Sequence, residues 1–217
     1  MKKLIIWDFD GVISDTESLW VTSRMLLLNR DFNLGWNFEK TFNTIGGRSD
    51  KDKKKILNDL GIDIKDDFMQ EAYLRDMEII KQGLTLTPYI EDIFKLTQFD
   101  QCIATGGIRE KTNEKIKQTG ISSYFPQDKV FTVDMVKNGK PQPDLFLLAA
   151  KTMGYTPDNC VVIEDSVVGI KAALNAHMTP IAFIKYNPQQ FIDEIKNLNI
   201  DYIFDDMRDI KKLLEKL

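Results

Sequence analysis

The sequence predicts an α/β protein: a parallel sheet core with helices on both faces, plus an inserted all-helical domain. Three observations carry this. Short apolar runs recur along the chain, helical patterns separate most of them, and residues 15 to about 85 break that rhythm with helical patterns alone. Strands alternating with helices indicate βαβ units and a parallel sheet covered on both sides. The expected organisation is a core domain of residues 1–14 and 86–217, with a helical domain at 15–85.

Each element has its own justification. Lys3–Trp7 is an apolar run ended by Asp-Phe-Asp-Gly, a buried strand leading into a tight loop. Further strands are expected at Cys102–Ala104, Val130–Val133, Val161–Ile163, Ile181–Ile184 and Tyr202–Phe204. Helices are expected at Pro88–Thr97, Arg109–Thr119, Pro143–Met153, Val167–Ala176, Pro188–Leu198 and Met207–Leu217. Thr87-Pro88 and Thr156-Pro157 carry turn or helix-start signals, and Gly120 and Gly154 follow helices as C-caps. In the insert, helices are expected at Thr16–Asn29, Ser49–Leu60 and Lys65–Gln82. Trp36, Phe38 and Phe42 read as its core, and the Lys51–Lys55 charge run as a solvated helix face.

Composition narrows the function classes. A chain that is 43% hydrophobic and 29% charged is too apolar for disorder. Its 29 basic and 33 acidic residues give a net charge of −4, whereas a general nucleic-acid binder shows a basic excess. No apolar run reaches bilayer-spanning length. The start, Met1-Lys2-Lys3 followed by Leu4-Ile5-Ile6-Trp7, imitates a signal peptide until Asp8 cuts the apolar run too early. A cytoplasmic protein is expected, with Cys102 and Cys160 as reduced core thiols.

In an open α/β sheet, ligands bind beyond the carboxyl ends of the strands. The polar residues that follow successive strands here are Asp8 and Asp10; Thr105, Gly106 and Gly107; Lys140 in Gly-Lys-Pro-Gln-Pro-Asp; and Glu164, Asp165 and Ser166. Three or four crowded carboxylates repel and need a cation between them. All-oxygen ligation with few protein groups suits Mg²⁺, which keeps several waters and shares a substrate phosphate. A carboxylate that attacks a phosphoryl group meets like charge: two unit charges 4 Å apart repel by about 4 kcal/mol at an effective dielectric near 20. The metal and the Lys140 ammonium offset that repulsion. Thr105 and the amides of Gly106 and Gly107 can hold the phosphoryl oxygens, and Asp10 can protonate the leaving oxygen and then activate water. Such a set supports covalent catalysis through an aspartyl-phosphate.

Asp8-Phe9-Asp10-Gly11-Val12-Ile13-Ser14-Asp15-Thr16-Glu17 resembles the first motif of the haloacid dehalogenase (HAD) superfamily. Thr105, then Lys140 in Gly-Lys-Pro-x-Pro-Asp, then Glu164-Asp165-Ser166-x-x-Gly169 resemble its other three motifs, in order and across essentially the whole chain. The resemblance is greatest to the branch with a helical cap, which contains β-phosphoglucomutase-like proteins and sugar-phosphate phosphatases. It implies a Rossmann-like core, Asp8 as nucleophile and Asp10 as general acid/base. It implies Mg²⁺ held by the Asp8 side chain, the Asp10 carbonyl and Asp165, with Glu164 either a direct ligand or a support behind the ligands. The paired aspartates set the chain apart from the dehalogenase members.

Substrate choice is expected in the cap, where Trp20 and the loop Gly46-Gly47-Arg48-Ser49 are placed over the site. Gly47 and Arg48 would contact the non-reacting part of the substrate. Arg109 either faces the pocket or does not, while Asp144 and Ser166 read as caps and Gly169 as a close-packing residue. His177, the single histidine, reads as a surface or structural residue, which disfavours imidazole metal sites and Ser-His-Asp chemistry. The function expected is a Mg²⁺-dependent phosphatase of small phosphorylated metabolites, with sugar or sugar-acid phosphates such as 6-phosphogluconate ranked first. The alternatives are a β-phosphoglucomutase-type mutase and a non-catalytic module that binds phosphorylated ligands. Trp20 stands where mutases carry a cap histidine, and the acid-containing stretch Arg75-Asp76-Met77-Glu78 where they carry a lysine, which favours hydrolysis. No nucleic-acid or membrane partner is expected, and the chain is expected to be a monomer.

Overall fold

The computed structural model describes residues 2–216. Two compact units divide the chain: one comprises residues up to Asp15 together with those from Thr85 onward, the other Thr16–Leu84. In chain order the elements are β1 (Lys3–Trp7), α1 (Glu17–Phe32), α2 (Phe38–Ile45), α3 (Asp50–Asp59), α4 (Asp66–Lys81), α5 (Glu91–Phe94), β2 (Phe99–Thr105) and α6 (Arg109–Gln118), followed by β3 (Val130–Thr132), α7 (Asp144–Met153), β4 (Cys160–Glu164), α8 (Val167–Asn175), β5 (Thr179–Phe183), α9 (Gln189–Lys196), β6 (Ile203–Phe204) and α10 (Met207–Leu214). The last helix stops at Leu214, with Glu215 as its cap, short of the expected Leu217, which itself lies outside the described residues.

The strands form one parallel sheet in the order β3-β2-β1-β4-β5-β6. β1 therefore runs through the interior of the sheet, and Leu4 to Trp7 are buried. Leu4 and Ile6 pack on one face with Cys102, Val162, Phe146, Ala149, Ala172 and Ala173, under α7 and α8. On the other face the Trp7 ring meets Phe94 of α5 edge-on at 5.3 Å. The Trp7 Nε1–H donates to Gln101 Oε1 at 3.0 Å, and the Gln101 amide donates to the carbonyls of Ile93 and Phe94. That chain of bonds accounts for a glutamine in a buried strand.

The register places the site. Trp7 pairs with Ile103 of β2 and Ile163 of β4, so Asp8, Thr105 and Glu164 all lie at the carboxyl edge of adjacent strands. The sheet order also reverses direction beside β1, where open α/β sheets bind ligands.

The helical unit has its own core, in which Leu27, Leu28, Ile45, Leu57, Ile62, Ile64, Phe68 and Ala72 are buried together. Among the described residues it contains no strand. Helix α2 was not expected. Asn37 caps it by accepting from the Lys40 N–H, and Thr41, Phe42 and Ile45 form its buried side. Trp36 packs partly buried against the unit's core and Phe42 is buried, but Phe38 is 37% exposed and is not core. Lys53 also departs from expectation. It lies one turn before Leu57 on the buried side of α3, so its stem is covered while Lys51 and Lys55 are exposed.

In the α/β unit the expected helix Pro88–Thr97 shrinks to the single turn of α5. Tyr89 has a φ of 67°, which no helix accommodates, and Phe99 already pairs with Lys3. β2 thus starts three residues earlier than the apolar run suggested, and Val133 leaves β3 for a 3₁₀ turn. No helix among the described residues is long and apolar enough to cross a membrane.

Candidate active site

Asp8 is the first residue beyond β1. Its N–H donates to the Ile163 carbonyl at 3.0 Å, which continues the ladder by one residue and leaves the side chain at the sheet edge, 5% exposed. The chain then turns tightly. The Phe9 carbonyl accepts from the Ile13 N–H at 2.9 Å, and the Gly11 N–H donates to the Ser14 carbonyl at 2.9 Å. Gly11 has a φ of 76°, and a Cβ there would overlap the Asp165 carboxylate, so this position excludes a side chain on two grounds.

Lys140 binds three acceptors from one ammonium. Its Nζ lies 2.6 Å from Asp8 Oδ1, 2.7 Å from Glu164 Oε1 and 3.3 Å from the Ala104 carbonyl. Its ammonium lies over the Phe146 ring, with Nζ 4.8 Å from the centroid. The loop carrying it is held locally. Gln142 N–H donates to the Gly139 carbonyl at 3.0 Å, and the Asn175 side chain, at the end of α8, donates to the Pro141 carbonyl at 3.0 Å.

Glu164 ends β4. One carboxylate oxygen accepts from Lys140, and the other accepts from both the Ser166 N–H at 2.7 Å and the Ser166 hydroxyl at 2.9 Å. The Ser166 hydroxyl in turn accepts from the Gly169 N–H, which caps α8. A Cβ on Gly169 would overlap the Glu164 carboxylate, which is why the helix carries glycine under the site. The Asp165 carbonyl accepts from the Asn187 side chain at 2.9 Å, a contact that sequence reasoning did not foresee.

The electrostatics are out of balance. Ligand oxygens of Asp8, Glu164 and Asp165 all lie within 4.8 Å of one another. Burial, opposed by the Lys140 charge and reinforced by Glu164 and Asp10, raises the Asp8 carboxyl from an ordinary 3.8 to about 7. Burial alone would lower the Lys140 ammonium, but Asp8 and Glu164 outweigh it and hold this lysine charged above its usual range. One ammonium does not neutralise so many carboxylates. A compact set of carboxylate oxygens with excess negative charge fits a hard divalent cation.

The second aspartate has a different partner. Both Asp10 oxygens accept from Lys115 Nζ, at 2.9 and 2.7 Å, and this lysine on α6 is fully buried. Sequence reasoning missed Lys115, because Arg109–Gln118 is so rich in charge that it reads as a solvated helix. The available signal was its spacing: it lies three residues after buried Thr112 and beside buried Ile116.

Thr105 is fully buried at the end of β2, and its hydroxyl accepts from the Gly107 N–H at 3.2 Å. Gly106 is exposed, and a Cβ placed on it would meet nothing within 4 Å. Arg109 Nη2 donates to the Val130 carbonyl at 2.7 Å, which ties α6 to β3. His177 is exposed, with a φ of 57° after the α8 helix.

The structure therefore brings Asp8, Lys140, Glu164 and Asp165 into one cluster. Asp10 lies on the same loop as Asp8, and Thr105 is next to the Ala104 carbonyl that Lys140 touches. Trp20, Gly47 and Arg48 belong to the helical unit. Trp20 is buried within α1, the Gly47 N–H donates to Glu17 Oε1 at 2.7 Å, and Arg48 is exposed.

The profile of the family described as haloacid dehalogenase-like hydrolase matches residues 5–183. The chain belongs to that family. Among its relatives is the phosphorylated carbohydrates phosphatase of Thermotoga maritima, 26% identical over 179 residues that cover 79% of this chain and 80% of that one. The fructose-1-phosphate phosphatase of Escherichia coli is 40% identical over 79 residues, which cover 36% of this chain and 41% of that one. A haloacid dehalogenase-like protein from Agrobacterium tumefaciens shares the fold, with a TM-score of 0.86 at 22% identity over 100% of this chain and 99% of the other.

Proposed function

We propose that this haloacid dehalogenase-like hydrolase is a Mg²⁺-dependent phosphatase of small phosphorylated carbohydrates that works through an aspartyl-phosphate on Asp8. One observation carries the reading: Asp8 at the sheet edge bonds to Lys140 at 2.6 Å, inside a carboxylate cluster that one ammonium leaves negative. The named activities of the relatives, hydrolysis of phosphorylated carbohydrates and of fructose 1-phosphate, support the substrate class. Sugar and sugar-acid monophosphates such as 6-phosphogluconate rank first.

In this reading the Asp8 side chain, the Asp10 carbonyl and Asp165 hold the metal, and Glu164 adjoins them by fixing Lys140. Bound there, Mg²⁺ would supply positive charge that favours the ionised Asp8 and screens its repulsion from the phosphate. An Asp8 oxygen attacks phosphorus, and the bond from phosphorus to the sugar oxygen breaks. The sugar oxygen keeps the electron pair and takes a proton from Asp10. Lys140, the Thr105 hydroxyl and the amides of Gly106 and Gly107 hold the phosphoryl oxygens. Water then attacks phosphorus and gives its proton to Asp10, and the bond to Asp8 breaks. Trp20, Gly47 and Arg48 of the helical unit choose the substrate, with Arg48 as the exposed cation available to a polyhydroxylated or anionic group.

The test is phosphate release from a panel of small phosphomonoesters: hexose 1- and 6-phosphates, fructose 1-phosphate, 6-phosphogluconate, phosphoglycolate and nucleoside monophosphates. It is run with Mg²⁺ and with chelator, beside Asp8→Asn. Metal-dependent release that falls by at least about 10³-fold in Asp8→Asn is expected. Release from none of the panel, or release that Asp8→Asn preserves, overturns the proposal.

A further inference from the structure

We infer that Lys115 is a positioning residue for Asp10, holding the carboxyl that exchanges protons with substrate and water at a fixed orientation. The inference rests on the acid/base role of Asp10 proposed above and adds a residue that none of the strand-end motifs contains.

Four observations carry it. Lysine is almost never fully buried unless it is paired, yet Lys115 is 0% exposed. Its Nζ contacts both oxygens of one carboxylate, Asp10 Oδ1 at 2.9 Å and Oδ2 at 2.7 Å, across 105 residues of chain. The ammonium also lies 4.5 Å from the centroid of Phe9, the residue between the two aspartates, so it grips that loop on two sides. Finally, a Cβ placed on Gly107 would lie 3.6 Å from Lys115 Nζ and 3.8 Å from Thr105 Oγ1. The lysine therefore reaches Asp10 from alongside the loop that would hold phosphate.

The mechanical need is specific. Asp10 must give a proton to the sugar oxygen and later take one from water, from nearly the same place. A carboxyl on a flexible loop can turn away about its own side-chain bonds, and misplacement by about 1 Å can reduce catalysis about 10²-fold. With both oxygens bonded to the ammonium, at 2.9 and 2.7 Å, the plane of the carboxyl is fixed on its loop. Helix α6 supplies the rigidity: Thr112 and Ile116 are buried on the same side, and the Lys115 carbonyl accepts from Thr119 N–H and Oγ1.

Leaving groups separate positioning from bulk structure. A sugar alkoxide needs the proton from Asp10 as it departs, whereas p-nitrophenolate departs without one. In the Mg²⁺-loaded enzyme, Lys115→Met should lower kcat about 10- to 100-fold on the best alkyl phosphate of the panel, within the range that proton transfer contributes. KM for that substrate should stay within about twofold, and kcat/KM for p-nitrophenyl phosphate, which reports formation of the aspartyl-phosphate without a donated proton, should stay within about threefold. Adding Lys115→Met to Asp10→Asn should cause no further loss on the alkyl phosphate. If thermal melting shows that Lys115→Met does not fold, Lys115→Gln, which keeps a donor, carries the same comparison and should recover part of the alkyl activity. Equal losses of kcat/KM on the alkyl and aryl substrates, or full alkyl activity in the variant, overturn the assignment. Wild-type enzyme that shows no Asp8-dependent release overturns the phosphatase reading and this assignment together, so the two failures are distinguishable.

Discussion

Each unit contains a buried set of charges, and the two are built on opposite rules. In the helical unit Arg24 faces Asp76 as a planar fork, Nη1 to Oδ1 at 2.7 Å and Nη2 to Oδ2 at 2.8 Å, with side chains 5% and 1% exposed. One cation meets one anion, and the Ala72 carbonyl takes a further N–H. In the α/β unit four carboxylates, Asp8, Asp10, Glu164 and Asp165, face two ammonium groups, Lys115 and Lys140. The first set is closed and needs nothing more. The second gathers Asp8, Glu164 and Asp165 around the Lys140 ammonium at the edge of a sheet, an arrangement that a divalent cation would relieve.

The balanced pair should give the largest stability effect. Arg24→Met strands a buried carboxylate and should destabilise by about 3–5 kcal/mol in urea unfolding. The double variant Arg24→Met/Asp76→Leu should recover most of that loss, and failure to recover would show that the pair does more than neutralise itself. The unbalanced set should respond to metal instead. Mg²⁺ at about 100 times its dissociation constant should raise stability by about 2.7 kcal/mol. The same increment should appear in Arg24→Met and shrink in Asp165→Asn, and an increment unchanged in Asp165→Asn would place the ion elsewhere.

The smallest effect belongs to an exposed pair in the helical unit. The hydrogen bond from Arg30 holds the Glu71 carboxyl at about 2, below its ordinary 4.5. A carboxyl whose folded value is depressed adds stability above its unfolded value and loses it as pH falls toward the folded one. The Glu71→Gln variant should therefore trail wild type slightly at pH 6 and converge with it between pH 4.5 and about 2. Because the pair is exposed, molar salt should erase even that difference. A gap that persists at high salt would mean that Glu71 acts through packing.

The sheet and the strand-end residues were legible because both follow from local pattern. A strand buried on both faces reads as a nearly continuous apolar run, and the ligand edge turns polar at its end, as Trp7-Asp8 and Ile163-Glu164 show. Elements decided by longer-range contacts were not legible. Helix α2 is only two turns long and owes its order to the Asn37 cap and to neighbours that the sequence does not reveal. The Tyr89 backbone ends what looked like a continuous helix from Pro88. Lys115 was hidden for a different reason: a lysine among Arg, Glu and Lys reads as solvent-facing unless a distant acid is known to meet it, and Asp10 lies 105 residues away in sequence. The helical-unit residues Trp20, Gly47 and Arg48 were named from resemblance, and no contact within their unit singles out a substrate role.

The two points where the helical unit leaves and rejoins the α/β unit are stitched to each other. Ser14 bridges to Leu86, its hydroxyl donates to the Thr85 carbonyl at 2.8 Å, and the Thr87 N–H and hydroxyl donate to the carbonyls of Ile13 and Val12. To the sheet, everything from Thr16 to Leu84 is thus one loop whose ends are already closed. Closure entropy grows only slowly with length, by about 0.6 kcal/mol per doubling. Selection can therefore lengthen, shorten or replace the insert at little thermodynamic expense to the sheet edge that carries Asp8 and Lys140.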